Sequence, residues 1–216
     1  MQLKKENIGI VLLLIFYSVG LTGTLFWDES VLKLTPVNLL ISLGIVLWFH
    51  QEYDARFLLY AIIVFVNGFL LEWVGVTTGK VFGVYFYGNN LGYKLFDIPV
   101  VIGINWLMLS YSSMNTAQLL VQRANLFKHK EWLLPLIGAV LMVIVDVWIE
   151  QLCSRLDFWY WKDQVVPLQN YTAWFLFSFA FNYLFVKMEV KTGNKVAVLL
   201  YLLQLLFFIG LNLGLH

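Results

Sequence analysis

Charge is what this sequence has least of. Only 12% of its 216 residues are Asp, Glu, Lys or Arg, while 61% are hydrophobic, and the mean hydropathy is +0.78. A water-soluble domain carries about a quarter charged residues, so this chain has too little polar surface to cover a globule in water. Cysteine is nearly missing too. Cys153 stands alone, which excludes an intramolecular disulfide framework and a thiolate metal site. The three histidines, His50, His129 and His216, lie scattered in connecting or terminal stretches, so the His-rich ligand set of a membrane di-iron oxygenase or desaturase is missing. No G-x-G-x-x-G follows a strand pattern, and there is no P-loop and no paired Asp-rich diphosphate motif. A net charge of +1 gives no sign of nucleic-acid binding. Soluble domains, low-complexity segments and internal repeats are likewise absent.

What the sequence does have is long apolar runs. Spans of about 20 apolar residues cross a hydrocarbon core roughly 30 Å thick. Seven such helices are predicted, at 8–26, 36–49, 57–74, 98–120, 132–152, 172–188 and 196–214. The fold class is therefore an all-α polytopic transmembrane bundle, with residues 1–216 forming one integral membrane domain. Two lysines precede the first apolar run and no small-residue cleavage pattern follows it, so it reads as a retained span. Pro36, Pro99, Pro135 and Pro167 each fall at or near a helix start, where proline is tolerated.

Lysine and arginine positions set the orientation. With the N-terminus inside, the inner face receives Lys4, Lys5, Arg56, Arg123, Lys128, Lys130, Lys187, Lys191 and Lys195, and the outer face Lys33, Lys80, Lys94, Arg155 and Lys162. The expectation is a multi-pass protein of the cell (inner) membrane with a cytoplasmic N-terminus. The two longest connections, 75–97 and 153–171, then lie on the outer side, and both are rich in aromatic residues.

An ionisable group inside an apolar span is a functional-site candidate by default. Three carboxylates qualify: Glu72 near the outer end of the third span, and Asp146 and Glu150 in the outer half of the fifth. The last two are four residues apart and share one helix face. They read either as a catalytic pair or as an interfacial ion-pair network with Arg155 or Lys162. Asn105, beside Trp106 in the upper part of the fourth span, reads as a site residue or as an interhelical clamp, and Asn170 and Tyr171 open the sixth span towards the same side. Asn67, Asn115 and Asn182 read as packing groups. Trp148, Trp159 and Trp161 fit an aromatic belt at the headgroup level, with cation stabilisation as the second reading. Gly75, Gly79 and Gly83 recur every fourth residue. They form a small-residue packing stripe if the helix continues, or a cavity wall if it breaks.

The blocks "EWVGVTTGKVFGVYFYG", "LFDIPVVIGINWLML", "DVWIE" and "WYWKDQVVPLQNYTAWF" carry a family resemblance. In order and wording, over roughly residues 65–190, the chain is similar to the carotenoid hydratases. These are integral membrane proteins of carotenoid biosynthesis, and they include bacterial 1′-hydratases of acyclic carotenoid ends and an archaeal bisanhydrobacterioruberin hydratase. The resemblance implies addition of water to the terminal C=C of a ψ-type end, giving a tertiary alcohol without oxygen or cofactor. It implies a lycopene- or γ-carotene-like carotenoid, or a C50 analogue, as substrate. Membrane lipid and other enzymes of carotenoid biosynthesis are its implied partners.

The roles of residues come from chemistry. Hydration of a trisubstituted alkene needs an acid, a water and stabilisation of a tertiary cation. Asp146 is the expected general acid, with Glu150 or Glu72 positioning water. Asn105 and Asn170 would hold the network, and Tyr85, Trp148 and Trp174 would line the cation site, with Trp106 and Tyr171 beside them. The competing readings are a carotenoid- or lipid-binding carrier and a small-molecule transporter. A carrier has no need of three carboxylates at one depth, and a transporter often shows repeats.

Overall fold

In a computed structural model, the described residues of the chain form a bundle of seven α-helices. The structure describes residues 2–27, 29–124, 131–191 and 193–215. His129, Lys128, Lys130 and His216 lie outside the described residues. The helices are α1 (Gln2–Phe26), α2 (Thr35–Trp48), α3 (Ala55–Thr78), α4 (Val101–Arg123), α5 (Leu133–Glu150), α6 (Leu168–Lys187) and α7 (Lys195–Gly214). A short 3₁₀ helix, Glu29–Leu34, leads into α2. The described residues also include four short strands, β1 (Tyr85–Tyr87), β2 (Lys94–Leu95), β3 (Ile98–Pro99) and β4 (Trp159–Trp161), and a second short 3₁₀ helix, Lys162–Gln164.

Among the described residues, five segments are long and apolar enough to cross a membrane: α1, the first 3₁₀ helix with α2, α3, α5 and α7. Of the other two helices, α4 is explained by its position. α4 packs against α2, α3, α5, α6 and α7, and Val101–Gly103 and Trp106–Ala117 are buried. Its Ser110, Ser112, Ser113, Asn115 and Thr116 face protein rather than lipid, which lowers its hydropathy without exposing polar groups to hydrocarbon. Close approach of α3 to α4 depends on glycine. A Cβ on Gly68 would lie 2.7 Å from the Trp106 side chain, and one on Gly103 would lie 2.7 Å from the Phe65 carbonyl oxygen.

α3 runs one turn further than its apolar span and ends at Gly79, whose φ of 65° is the left-handed cap that glycine adopts without strain. The glycine stripe is therefore interrupted. Gly75 lies in the helix, and a Cβ there would come within 2.8 Å of the Phe82 ring and 3.1 Å of the Tyr85 hydroxyl. Its small size admits the returning chain, so this segment is a wall folded back on the bundle rather than a continuous helix-packing seam.

That returning chain supplies β1, which pairs antiparallel with β4 in the register Tyr85↔Trp161, Phe86↔Tyr160 and Tyr87↔Trp159. The two long connections thus form one ribbon across the end of the bundle. Side chains alternate across a strand. Phe86 and Tyr160 stack on the outer face with centroids 5.2 Å apart, while Tyr85, Tyr87 and Trp161 are buried beneath.

At the opposite end of the bundle a second polar cluster ties loops to helices. His50 is buried between the Tyr111 hydroxyl, 2.8 Å from Nδ1, and the Glu52 carbonyl, 2.7 Å from Nε2. A carbonyl can only accept, so Nε2 carries the proton and Nδ1 accepts from Tyr111. Asn194 caps α7 through Val196 and Ala197, and its amide donates to the Val46 carbonyl. Asn115 accepts from the Gly193 and Asn194 backbone N–H groups. The packing role expected of Asn115 is this loop clamp. Asn182 accepts from Ser110 at 2.7 Å, and Asn67 donates to Ile63 within its own helix.

Candidate active site

The last turns of α3 and α5 and the first turns of α4 and α6 lie at one end of the bundle, under the β1–β4 ribbon. The arrangement brings Glu72, Asp146, Glu150, Asn170 and Trp106 together, and all five are buried. Glu72 accepts three hydrogen bonds: Tyr85 at 2.5 Å and Tyr87 at 2.7 Å on Oε2, and the Trp106 indole at 3.0 Å on Oε1. Glu150 also accepts three side-chain bonds. The indoles of Trp161 and Trp159 donate to its Oε2 at 2.6 and 3.1 Å, and the Asn170 amide to its Oε1 at 3.0 Å. Each strand of the ribbon therefore serves one glutamate, through the two residues that alternation turns inward. Burial, and after it the Glu72 carboxylate, pushes the Tyr85 and Tyr87 phenols well above their ordinary pKa, so both remain donors at neutral pH.

Asp146 sits behind this pair. Its Oδ2 accepts from Asn170 at 3.0 Å, and its Oδ1, also buried, has no partner. One amide thus links two carboxyl groups a helical turn apart. Among the described residues no ion pair reaches Glu72, Asp146 or Glu150. The alternative of an interfacial network with Arg155 or Lys162 is therefore not what forms. Among the same residues no His, Cys, Asp and Glu cluster is arranged to hold a metal ion.

Glu72, Glu150, Asn105, Trp106, Tyr85, Asn170 and Trp174 all border one cavity of about 30 Å³. Trp106 and Trp174 stack in one wall at 4.2 Å, and Tyr85 and Trp161 approach to 4.9 Å in another. Three expected site residues are placed otherwise. Asp146 does not border the cavity, since Asn170 and Glu150 stand in front of it. Trp148 lies away from the cavity, half-buried, with its carbonyl accepting from Asn212. It is two residues from Asp146 and from Glu150, which turns it about 200° away from both around the helix. Tyr171 is half-buried beside Asn170 and does not reach the cavity.

The site also uses residues that the sequence left in the background. Tyr87 drew no attention there, and Trp159 and Trp161 fitted a headgroup belt; all three hold catalytic candidates. The signal was present as the alternations Y-F-Y and W-Y-W, which mark two short strands with one aromatic face each. Outside Glu150 lies a vestibule of about 560 Å³, bounded by exposed Gln151, Ser154, Arg155 and Gln164. Glu150 and Trp161 border both the vestibule and the buried cavity.

Comparison with protein families matches residues 34–216 to the family described as carotenoid biosynthesis protein. The chain belongs to that family. The match takes in every residue of the site and leaves out all of α1 and all but the last residue of the first 3₁₀ helix. No curated protein and no solved structure matches. Membership in the carotenoid biosynthesis family fits the helical membrane architecture and the aromatic chamber.

Proposed function

We propose that this carotenoid biosynthesis protein is a hydro-lyase that adds water to the terminal C=C of an acyclic carotenoid end. The observation that carries this reading is that two glutamates from different helices face one small aromatic cavity without a counter-cation, and one of them is backed by a third carboxyl group. Uncompensated charges in such surroundings are costly, by several kcal/mol per ion. The Asp146–Glu150 pair, bridged by Asn170, therefore keeps one proton between its members.

Glu150 is the member that reaches the cavity, so it delivers the proton, and Asp146 is its positioning partner rather than the acid itself. Protonation of the less substituted alkene carbon uses the π electron pair and leaves a tertiary cation. The Trp106, Trp174 and Tyr85 faces stabilise that cation. Glu72, held as an acceptor by three donors, orients a water with Asn105 and takes its proton as oxygen bonds to the cation. The product is a tertiary alcohol, one water heavier than the substrate. The proton then returns from Glu72 to Glu150 through water in the cavity they share. A cavity of about 30 Å³ has room for a water, which needs about 10–15 Å³. The vestibule outside Glu150 supplies replacements. On the lysine and arginine distribution the N-terminus is cytoplasmic and this vestibule opens on the opposite face.

The test is expression in a host that accumulates lycopene or γ-carotene, with pigments analysed by mass. Each modified end is expected to gain one water. A gain of one oxygen instead, or activity surviving in Glu72→Gln, Asp146→Asn and Glu150→Gln alike, would sink the proposal.

A further inference from the structure

The carboxylate cavity is the inner end of a series. It shares Ile102, Asn105 and Trp159 with a second cavity of about 70 Å³. The second shares Thr35, Asn38 and Phe207 with a third of about 160 Å³, between the later half of α1 and the earlier half of α2. The third shares Ile41 with a groove of about 500 Å³ along the remainder of the same two helices. The spaces therefore widen steadily away from the carboxylates. Their mouth is apolar and open: Val19, Leu34 and Val37 are 51%, 60% and 50% exposed. From Ile8 to Thr24 the cleft follows α1 for about 24 Å at 1.5 Å per residue, most of a hydrocarbon core roughly 30 Å thick.

Two observations separate this series from loose packing. α1 leans mainly on α7 and touches α2 only sparsely, so the cleft lies between helices that are held by other neighbours. The second cavity is also lined by Asn38 and Gln204, whose side-chain oxygens are buried without a hydrogen-bond partner. Buried acceptors in a finished core are satisfied, and here two point to a guest that brings a donor.

We propose that the α1–α2 cleft is a lateral portal for a long linear polyene. Such a chain slides in from the lipid, lies along the cleft, and passes its end by Asn38 through the second cavity to the carboxylates. Substrate and water then arrive from opposite sides, the polyene from the bilayer and water through the vestibule at Glu150. An alkene end offers nothing to the Asn38 and Gln204 oxygens, but the hydroxyl formed at the carboxylates does. The two amide oxygens accept that O–H in turn as the product withdraws through otherwise apolar surroundings. The identity of the product rests on the hydration reading; the route does not.

The test places a photoreactive benzophenone side chain at Ile41 in the cleft, and separately at Ile62, which is 60% exposed on the far side of α3. The full chain is reconstituted in phospholipid vesicles containing lycopene, irradiated, and analysed for adduct mass. Severalfold enrichment of the polyene adduct at position 41 over position 62 is expected. A Cβ at Gly44, which lines the groove, meets nothing within 4 Å, so Gly44→Phe puts a ring into the cleft and is expected to lower both the adduct yield and pigment turnover severalfold. Equal polyene adducts at the two positions, phospholipid adducts alone at both, or an undiminished yield in Gly44→Phe overturns the portal. An adduct confined to position 41 in a protein that adds no water upholds the portal and overturns the hydration reading instead.

Discussion

The two ends of the bundle bury polar groups in opposite ways. Around His50, Tyr111, Asn115 and Asn194 the groups are neutral, and none of their buried atoms is left without a partner. Around Glu72, Asp146 and Glu150 the groups are carboxyls without counter-cations, an oxygen of Asp146 is unpaired, and a cavity lies between the glutamates. Matched neutral networks rigidify a fold. Unmatched acids in apolar surroundings weaken it, and they persist where chemistry needs them. The two clusters should therefore respond to substitution in opposite senses. On the proposed function, one carries activity at the expense of stability, and the other carries stability alone.

The largest effect is expected at Glu150. Loss of a general acid lowers a rate by about 10²–10⁴-fold, so Glu150→Gln is expected to reduce hydration of the pigment end by that factor, read by mass of the extracted carotenoids. The same substitution removes an uncompensated buried carboxyl and keeps the shape, so thermal unfolding in detergent should show a stability unchanged or raised. A destabilised Glu150→Gln protein would place this carboxyl with the structural cluster. Asp146→Asn is expected to reduce turnover less, because it acts on the cavity only through Asn170 and Glu150.

At the other end His50→Ala leaves the Tyr111 hydroxyl and the Glu52 carbonyl without their partner. An orphaned buried group costs about 1–3 kcal/mol, and that loss of stability should appear in denaturation while turnover per folded molecule is retained. Activity lost in proportion to Glu150→Gln would abolish the distinction between the ends.

How much of this was legible beforehand follows from the residues themselves. Glu72, Asp146 and Glu150 stand out because each interrupts an apolar run, and the seven helices follow from the runs. Asn105, Trp106 and Asn170 were legible as polar or amphipathic groups towards the same side of their spans. Depth, however, is not direction. The four-residue spacing puts Asp146 and Glu150 on one face, but only packing against α6 decides that Glu150 fronts the cavity and Asp146 stands behind it. The ribbon was less legible still. Tyr87 and Trp159 are far apart in sequence, and nothing local to either says that the strands pair. An aromatic residue just past a membrane helix has an ordinary explanation at the headgroups, and that explanation concealed the donors of both glutamates.

The ribbon provides a finer version of the same contrast. Tyr87→Phe deletes one of three donors to Glu72 and preserves the ring against Trp159, 6.2 Å away. A hydrogen bond to a charged group is worth about 1.5 kcal/mol at the low end, which is roughly tenfold in rate. Turnover is expected to fall by that factor, with little change in unfolding temperature. Trp161→Phe should do the same at Glu150. If either variant unfolds early but turns over normally, the ribbon is a structural lid and its donors are not tuning the acids.

The smallest expected effect concerns pH. Burial lowers the pKa of His50, outweighing the backbone carbonyl of Glu52 and the nearby Asp54 and Glu52 carboxylates, which act the other way. The folded imidazole is therefore held neutral, while in the unfolded chain the group titrates near its ordinary value of about 6.5. Between that value and the lower folded one the unfolded chain binds more protons, so stability rises with pH across the window. The contribution is fully present above about 6.5 and is lost as the pH falls towards the folded value. Protonation would turn Nδ1 from an acceptor into a donor facing the Tyr111 hydroxyl, which already receives the Asn194 amide at 3.3 Å. His50→Gln removes the titration while keeping polar atoms in place. Its unfolding temperature, measured from pH 7 downwards, should fall less steeply than that of the parent. Parallel curves would mean that the network takes up the imidazolium without strain, and the neutral cluster would then be less rigidly specified than its complete pairing indicates.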